Sequence, residues 1–361
     1  MIGWRRQYGD ILRDRVRVAD VRGLFDLGIR WLGTALSRGR PLVGPALGTL
    51  VVTYRCDLRC RVCQLPQRAA ARRRAGEHEL DTPALAGVLT DMRAIGTAGV
   101  GVTGGEPMLR TDTEALLAHG SRIGMHMHLN SDGFRVADAA RDLVRTGMRS
   151  ANISLDAATA QAHDRARGRA GAFDTALEAL GALRRARGTH RAPRVTAVTV
   201  LTASNIAEVE SVADVAREAG ADRLGIIPVH DFGQGERTPD PTAVASGVDA
   251  LHRLHAAGFL DNSLAYVDLV PRALAGQSSP LRCYAPQSSV VVDCYGDVYP
   301  CFPLMERAEP VGRIPLIRMW RSRAYEEARR RLASCRACLW NCHTELNLAL
   351  PQTGRLAGRA G

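Results

Sequence analysis

At 361 residues with 46% hydrophobic content, the chain is long enough for one large domain or two smaller ones around a substantial core. The net charge is +11 and all 48 basic residues are arginines, which suits an anionic substrate, an acidic peptide or an anionic membrane surface; only 5% of residues are aromatic and no basic stripe alternates with them, so nucleic acid is not expected. Nine cysteines, odd in number and grouped, argue against a secreted disulfide framework and for metal ligation in a reducing cytoplasm; no apolar h-region and no run of ~20 apolar residues predict neither signal peptide nor transmembrane helix.

Residues 1–46 carry Ile11, Leu12, Val16, Val18, Val21, Leu24, Phe25, Leu27, Trp31 and Leu32 at roughly helical spacing. They predict one or two lead-in helices packed on the main domain; a peripheral membrane contact or a partner-docking segment is the alternative. The stretch SRGRPLVGP, 37–45, marks a boundary. Strand-like runs follow at 49–54, 99–104, 125–130, 150–155, 194–202 and 223–229. Helix-like segments lie near 81–95, 111–122, 135–146, 172–188, 205–219 and 241–257. This alternation predicts an α/β fold, a parallel sheet with helices outside. Six units fall short of a closed eight-fold barrel. The core domain, 47–260, is therefore expected to be an open, partial (β/α)6 TIM-like barrel with its chemistry at the carboxyl ends of the strands. From about residue 275 short strands (SSVVVD, DVYP), a helix near 322–333 and cysteine-rich turns predict a small metal-stapled module, 275–345, and then a tail, 346–361.

Cys56, Cys60 and Cys63 form a Cys-x3-Cys-x2-Cys run directly after the first strand, which puts the loop at the active-site end of the sheet. Three thiolates on one bend hold three irons of a [4Fe–4S] cluster and leave the fourth open to a ligand. Zinc is the competing metal, but zinc sites usually pair two knuckles and no second pair lies nearby. One β/α unit later, Gly104, Gly105, Glu106 and Pro107 end the second strand. The glycines let the backbone approach a ligand closely, and Glu106 with exposed carbonyls can accept from an amine.

With these two motifs in this order, the chain resembles the radical S-adenosylmethionine (radical SAM) superfamily over about residues 49–230. The resemblance implies that Cys56, Cys60 and Cys63 ligate a [4Fe–4S] cluster whose open iron binds the amino and carboxylate groups of SAM. Reductive cleavage then gives a 5′-deoxyadenosyl radical that takes a hydrogen from substrate, with electrons from an external donor such as flavodoxin or ferredoxin. Gly104 to Pro107, Asn130, Ser154, Asp156 and Arg167 become cofactor-binding candidates; Arg167 suits the SAM carboxylate because a guanidinium meets it with two hydrogen bonds. Val62 departs from the family, which usually has an aromatic residue there, packed near the adenine.

The later cysteines, with Met319-Trp320, resemble the SPASM and twitch extensions of radical SAM enzymes. A full SPASM module has seven cysteines; six are present, so the shorter twitch-like form with one auxiliary [4Fe–4S] cluster is expected. Its expected ligands are Cys283, Cys301, Cys335 and Cys338, with Cys342 able to replace one of the last two. Cys294 falls between the matched positions. An uncoordinated Cys294 or Cys342 beside the substrate would be a catalytic hydrogen donor for epimerisation. The overall expectation is an oxidoreductase- or epimerase-type enzyme acting on a natural-product precursor. Residues 1–46 are too short for the peptide-recognition domain that many relatives carry, which favours a sugar or aminoglycoside-like molecule. The alternatives are a peptide presented by a separate partner and, from another class, a non-catalytic zinc-bound scaffold. His126 and His128 read as structural, His230 and Asp231 as substrate-site candidates, and Arg72–Arg74 as a solvated face.

Overall fold

Six short runs with alternating apolar residues, β-branched ones most of all in the first and fifth, become β1 (Leu47–Thr53), β2 (Gly99–Gly104), β3 (His126–Ser131), β4 (Ser150–Ser154), β5 (Arg194–Leu201) and β6 (Arg223–Pro228). The computed structural model describes residues 29, 32–37, 39–63, 65–230 and 240–352. These six strands lie side by side in chain order, every pair parallel, as the sequence predicts for an open, partial barrel. The helices that return the chain are α1 (Leu65–Arg74), α2 (Thr82–Ala94), α3 (Thr113–Arg122), α4 (Val136–Arg145), α5 (Ala160–Arg167), α6 (Ala172–Arg187), α7 (Val209–Glu218) and α8 (Pro241–Ala256). Of these, α1 and α5 escape the periodicity. The sequence LPQRAAARRR of α1 has no clear apolar stripe and buries only Leu65 and Ala69; that of α5 buries only His163.

Strand residues alternate between two environments, as a period of two requires. Leu50, Val52, Val100, Val102, Met127, Leu129, Ala151 and Ile153 face the helices and meet Leu85, Leu89, Met92, Leu116 and Leu180 in one apolar core. The other face is polar at its centre. His128 Nδ1 lies 2.6 Å from Ser150 Oγ and its Nε2 lies 3.1 Å from Asn130 Oδ1, which also accepts from Asn152 Nδ2 at 3.0 Å. Burial drives the His128 pKa down to about 4, so the ring is neutral at physiological pH.

The cysteine-rich region joins the main sheet. β7 (Ser289–Val292) pairs in parallel with Leu47–Leu50 of β1, and β8 (Asp297–Tyr299) and β9 (Gly312–Arg313) continue antiparallel. An unpaired β1 would leave a row of backbone donors and acceptors open on the most functional strand; the Ser-Val-Val-Val run closes that edge. Arg72, expected on a solvated face, instead ties α1 to this hairpin. It pairs with Glu77 and, at 2.6 Å, with buried Asp297, which Arg313 also holds. Two further helices, α9 (Arg323–Arg331) and α10 (Asn341–Ala349), complete the region. Most of the expected lead-in helices lie outside the described residues; residues 32–36 are helical and Leu32 is about half exposed. Among the described residues no helix is long and apolar enough to cross a membrane.

α10 is clamped to the barrel by side chains. Glu345 accepts from Ser263 N at 2.8 Å, Asn341 accepts from Asn262 Nδ2 at 3.1 Å, and Asn347 accepts from Tyr284 N at 2.8 Å. Burial raises the Glu345 pKa to about 7. A carboxyl that is easier to protonate in the folded state contributes stability below its unfolded pKa and loses it as pH rises through the folded one. Stability is therefore expected to fall by roughly 2–3 kcal/mol between pH 4.5 and 7 through this group. Thermal melts of Glu345→Gln across that range should show a correspondingly flatter profile than wild type.

Candidate active site

The cysteine loop leaves the carboxyl end of β1, and neighbouring backbone satisfies its polar groups. Gly105 N donates to Thr53 O at 2.8 Å and Glu106 N to Arg55 O at 2.9 Å; from the other side, Arg59 N donates to Arg167 O at 3.0 Å and Arg61 N to Ala166 O at 3.3 Å. The approach is so close that side chains are excluded. A Cβ on Gly105 would lie 2.1 Å from Arg55 O, and one on Gly168, whose φ is +67°, would lie 2.5 Å from Arg59 O. The Gly104–Gly105 pair and α5 thus grip the loop like two jaws.

Glu106, expected to face an amine, is buried and spent on the scaffold. Its carboxyl accepts from Met108 N, from Ser131 Oγ and from Asp132 N, the last at 2.8 Å. Burial and the neighbouring Asp132 push its pKa well above the ordinary carboxylate range. Such a group, fully enclosed and bonded, locks the β2 turn to the β3 turn and offers nothing to a ligand. Asn130 is likewise occupied in the barrel interior by His128 and Asn152. Two residues further, Asp132 lies against the cysteine loop. An oxygen of Asp132, one of Asp57 and the Cys56 sulfur lie within 4.8 Å of one another, and Asp132 Oδ2 is buried with no hydrogen-bond partner.

Asp156, at the end of β4, accepts from Val200 N at 2.9 Å and pairs with Arg167 Nη2 at 2.8 Å. Arg167 Nη1 lies 4.0 Å from the Cys60 sulfur, and its Nε has no hydrogen-bond partner. Ser154 is the last residue of β4, half-buried, close to this pair in sequence. The Cys60 thiol is pushed up by burial, against the pull of Arg167, and the Cys56 thiol is pushed by burial to about 12. Buried thiols that resist ionisation become thiolates when a cation compensates the charge, which fits a loop made to bind iron.

A cavity of about 200 Å³ opens beside the loop. Val62, Cys63 and Leu65 form one side, Gly104, Val200, Ile227, Pro228, Val229 and His230 the floor, and Phe302 and Trp340 the wall contributed by the cysteine-rich region. Trp340 stacks on Phe302 at 4.9 Å between ring centroids and lies 5.2 Å from the His230 ring. Asp231 lies outside the described residues.

Behind that wall is the second thiol group. Cys283 and Cys301 lie within electrostatic reach of each other and of Cys335 and Cys338, and burial pushes the Cys283 thiol up to about 12 and the Cys301 thiol well above its ordinary value. Paired contacts between Ser279 N and Arg336 O, 2.8 Å, and between Arg336 Nη1 and Pro280 O, 2.7 Å, join the loops that carry them. These four suit a closed cluster. Cys342 is buried beside Cys338. Cys294 stands apart, fully buried, with its sulfur 3.8 Å from Glu79. Neither Cys294 nor Cys342 lines the cavity, so neither is placed as the hydrogen donor the sequence suggested.

A partial barrel that presents a three-cysteine loop, a Gly-Gly-Glu-Pro turn and a second cysteine site defines an iron–sulfur radical enzyme. The radical SAM superfamily matches residues 50–216, and the SPASM iron–sulfur cluster-binding domain matches residues 283–343. The chain thus carries a radical SAM domain followed by a SPASM domain, and these two domains imply [4Fe–4S] clusters and a SAM site. It is similar to a PqqA peptide cyclase of Streptomyces rochei, 29% identical over 273 residues, covering 72% of this chain and 70% of that one. A PqqA peptide cyclase of Xanthomonas campestris is 28% identical over 266 residues, covering 72% and 68%. In fold it matches SuiB of Streptococcus suis bound to S-adenosylmethionine, with a TM-score of 0.60, 13% identity and coverage of 87% and 75%. It also matches anSMEcpe with bound AdoMet and a peptide, with a TM-score of 0.58, 16% identity and coverage of 84% and 95%.

The jaw contact is open to test. Gly105→Ala forces a methyl group against Arg55 O, and overpacking of this kind costs about 1–3 kcal/mol. Calorimetry should record that loss, and iron analysis after anaerobic reconstitution should show depletion at the Cys56–Cys63 loop.

Proposed function

We propose that the chain is a peptide-modifying radical SAM enzyme that oxidises or crosslinks a side chain of its substrate, with a separate partner presenting the peptide. The character of the cavity carries this reading. It opens beside Cys63 and is walled by valines, isoleucine, leucine, Phe302 and Trp340, with His230 the one imidazole among its described lining residues. A polyol or aminoglycoside would bury hydroxyls and amines there without partners, at a cost of about 1–3 kcal/mol each, whereas an apolar or aromatic side chain is at home. The peptide substrates named for the relatives support the same choice over the sugar that chain length alone suggested.

A [4Fe–4S] cluster on Cys56, Cys60 and Cys63 supplies, with SAM, the one-electron cleavage that generates a hydrogen-abstracting radical. The protein's own work is to bind and orient. Asp132, beside Cys56 and with its Oδ2 without a hydrogen-bond partner, takes the ammonium of the methionyl group. Arg167, held by Asp156, takes its carboxylate, and the two fix the sulfonium compound by opposite charges. The apolar wall excludes water from the reacting carbon. The four thiols behind Trp340 would hold an auxiliary cluster, which would supply an acceptor for the electron left on the substrate. Reduced flavodoxin or ferredoxin supplies the electron that starts the cycle.

Cys56→Ala, Cys60→Ala and Cys63→Ala should each abolish release of 5′-deoxyadenosine from SAM and dithionite while keeping the auxiliary iron. Asp132→Asn should weaken SAM binding at least tenfold in equilibrium dialysis, as expected when a charge-assisted contact is lost. Candidate precursor peptides, offered beside sugars with deuterium at abstractable positions, should be the ones that pass label to 5′-deoxyadenosine. Label from a sugar alone would overturn the peptide reading.

A further inference from the structure

Arg329 on α9 is a charged side chain with no counterpart. It is fully buried. Its guanidinium packs against two rings that meet edge to face, 4.2 Å from the centroids of both Trp320 and Tyr325. Nε donates to Pro286 O at 3.1 Å and Nη2 to Trp320 O at 2.8 Å, while Nη1 is buried with no hydrogen-bond partner. Among the described residues no carboxylate pairs with it. Glu326, on the same helix, is taken by Arg330 and Arg40. Carbonyl dipoles and aromatic faces soften a cation's burial but do not neutralise it, and an uncompensated buried charge is strongly destabilising. Burial alone draws the Arg329 pKa down to about 10.

What it touches indicates the missing anion. Pro286 lies three residues beyond Cys283, and Tyr325, against which the guanidinium packs, is within electrostatic reach of Cys301. A [4Fe–4S] core held by four thiolates is a dianion when oxidised and a trianion when reduced, so it is the one strong negative charge this corner would contain. We propose that Arg329 is the buried countercharge of the auxiliary cluster held by Cys283, Cys301, Cys335 and Cys338, and that it keeps that cluster's reduction potential high enough to accept an electron from the oxidised substrate. This rests on the reading of those four thiols as a cluster site. Arg329 is a positioning charge here, acting through the field across Tyr325 and the Pro286 carbonyl.

The test uses wild type, Arg329→Met and Arg329→Lys, each reconstituted anaerobically and titrated potentiometrically with EPR detection. Arg329→Met should shift the auxiliary couple to more negative potential, Arg329→Lys should keep it near wild type, and both should leave the couple of the Cys56–Cys63 cluster in place. Equal auxiliary potentials in wild type and Arg329→Met overturn the charge role. A wild type with iron for a single cluster and no auxiliary signal overturns instead the reading of the four thiols. If Arg329→Met cannot hold the auxiliary cluster, Arg329→Gln serves as a second neutral variant. Retention by Lys and by neither neutral variant supports the proposal, and loss in all three assigns Arg329 to packing and overturns it.

Discussion

The structure depends on one close backbone contact, the seating of the Gly104–Gly105 turn on the carbonyls of Thr53 and Arg55. Two hydrogen bonds and the absence of a Cβ bring β2 against the cysteine loop, and Glu106 fixes the turn from behind through Ser131 and Asp132. The thiols are thereby held by strands rather than by a loop of their own. Geometry that must be right to a fraction of an ångström is better carried by elements locked through packing and hydrogen bonds. The same contact leads Asp132 to Cys56, because the carboxylate that anchors the turn also takes the Asp132 amide.

The barrel was largely legible from the amino acids. All six strands and the helices α2, α3, α4, α6 and α8 follow the apolar patterning, with observed bounds within a residue or two of the predicted ones, while α7 begins four residues later than expected. The two iron-binding regions were legible too, since few residues besides cysteine can do that work. What escaped has a common cause. α1 and α5 lack an apolar stripe because they lie over the site and bury little. The pairing of β7 with β1 is a long-range event with no local signal. The roles of Glu106 and Asp132 turn on which way a carboxyl points at the end of a strand, and a motif does not record that. The charge pair of Arg72 with Asp297 joins positions 225 apart.

Two sulfur-rich regions that look separable in the sequence are continuous in the sheet. β7 lies against β1, the β7–β8 hairpin meets α1 through Arg72 and Tyr295, and Trp340 and Phe302 wall the cavity that begins at Cys63. The separation of the two thiol sites is set by this shared framework, and the cavity beside Cys63 is bounded by side chains of both regions.

That framework also bears on how the protein is made. Tyr54, two residues before Cys56, donates its hydroxyl hydrogen bond to Asp293 at 2.6 Å, and the strand that borders β1 begins at Ser289. On the ribosome the first cysteines emerge long before the residues that flank them. The jaws at Gly105 and Gly168 can close on the loop well before the strand leading into it gains its last neighbour. A chain truncated before the hairpin would therefore keep the grip on the loop but lose the Tyr54–Asp293 bond and leave that edge of β1 unpaired.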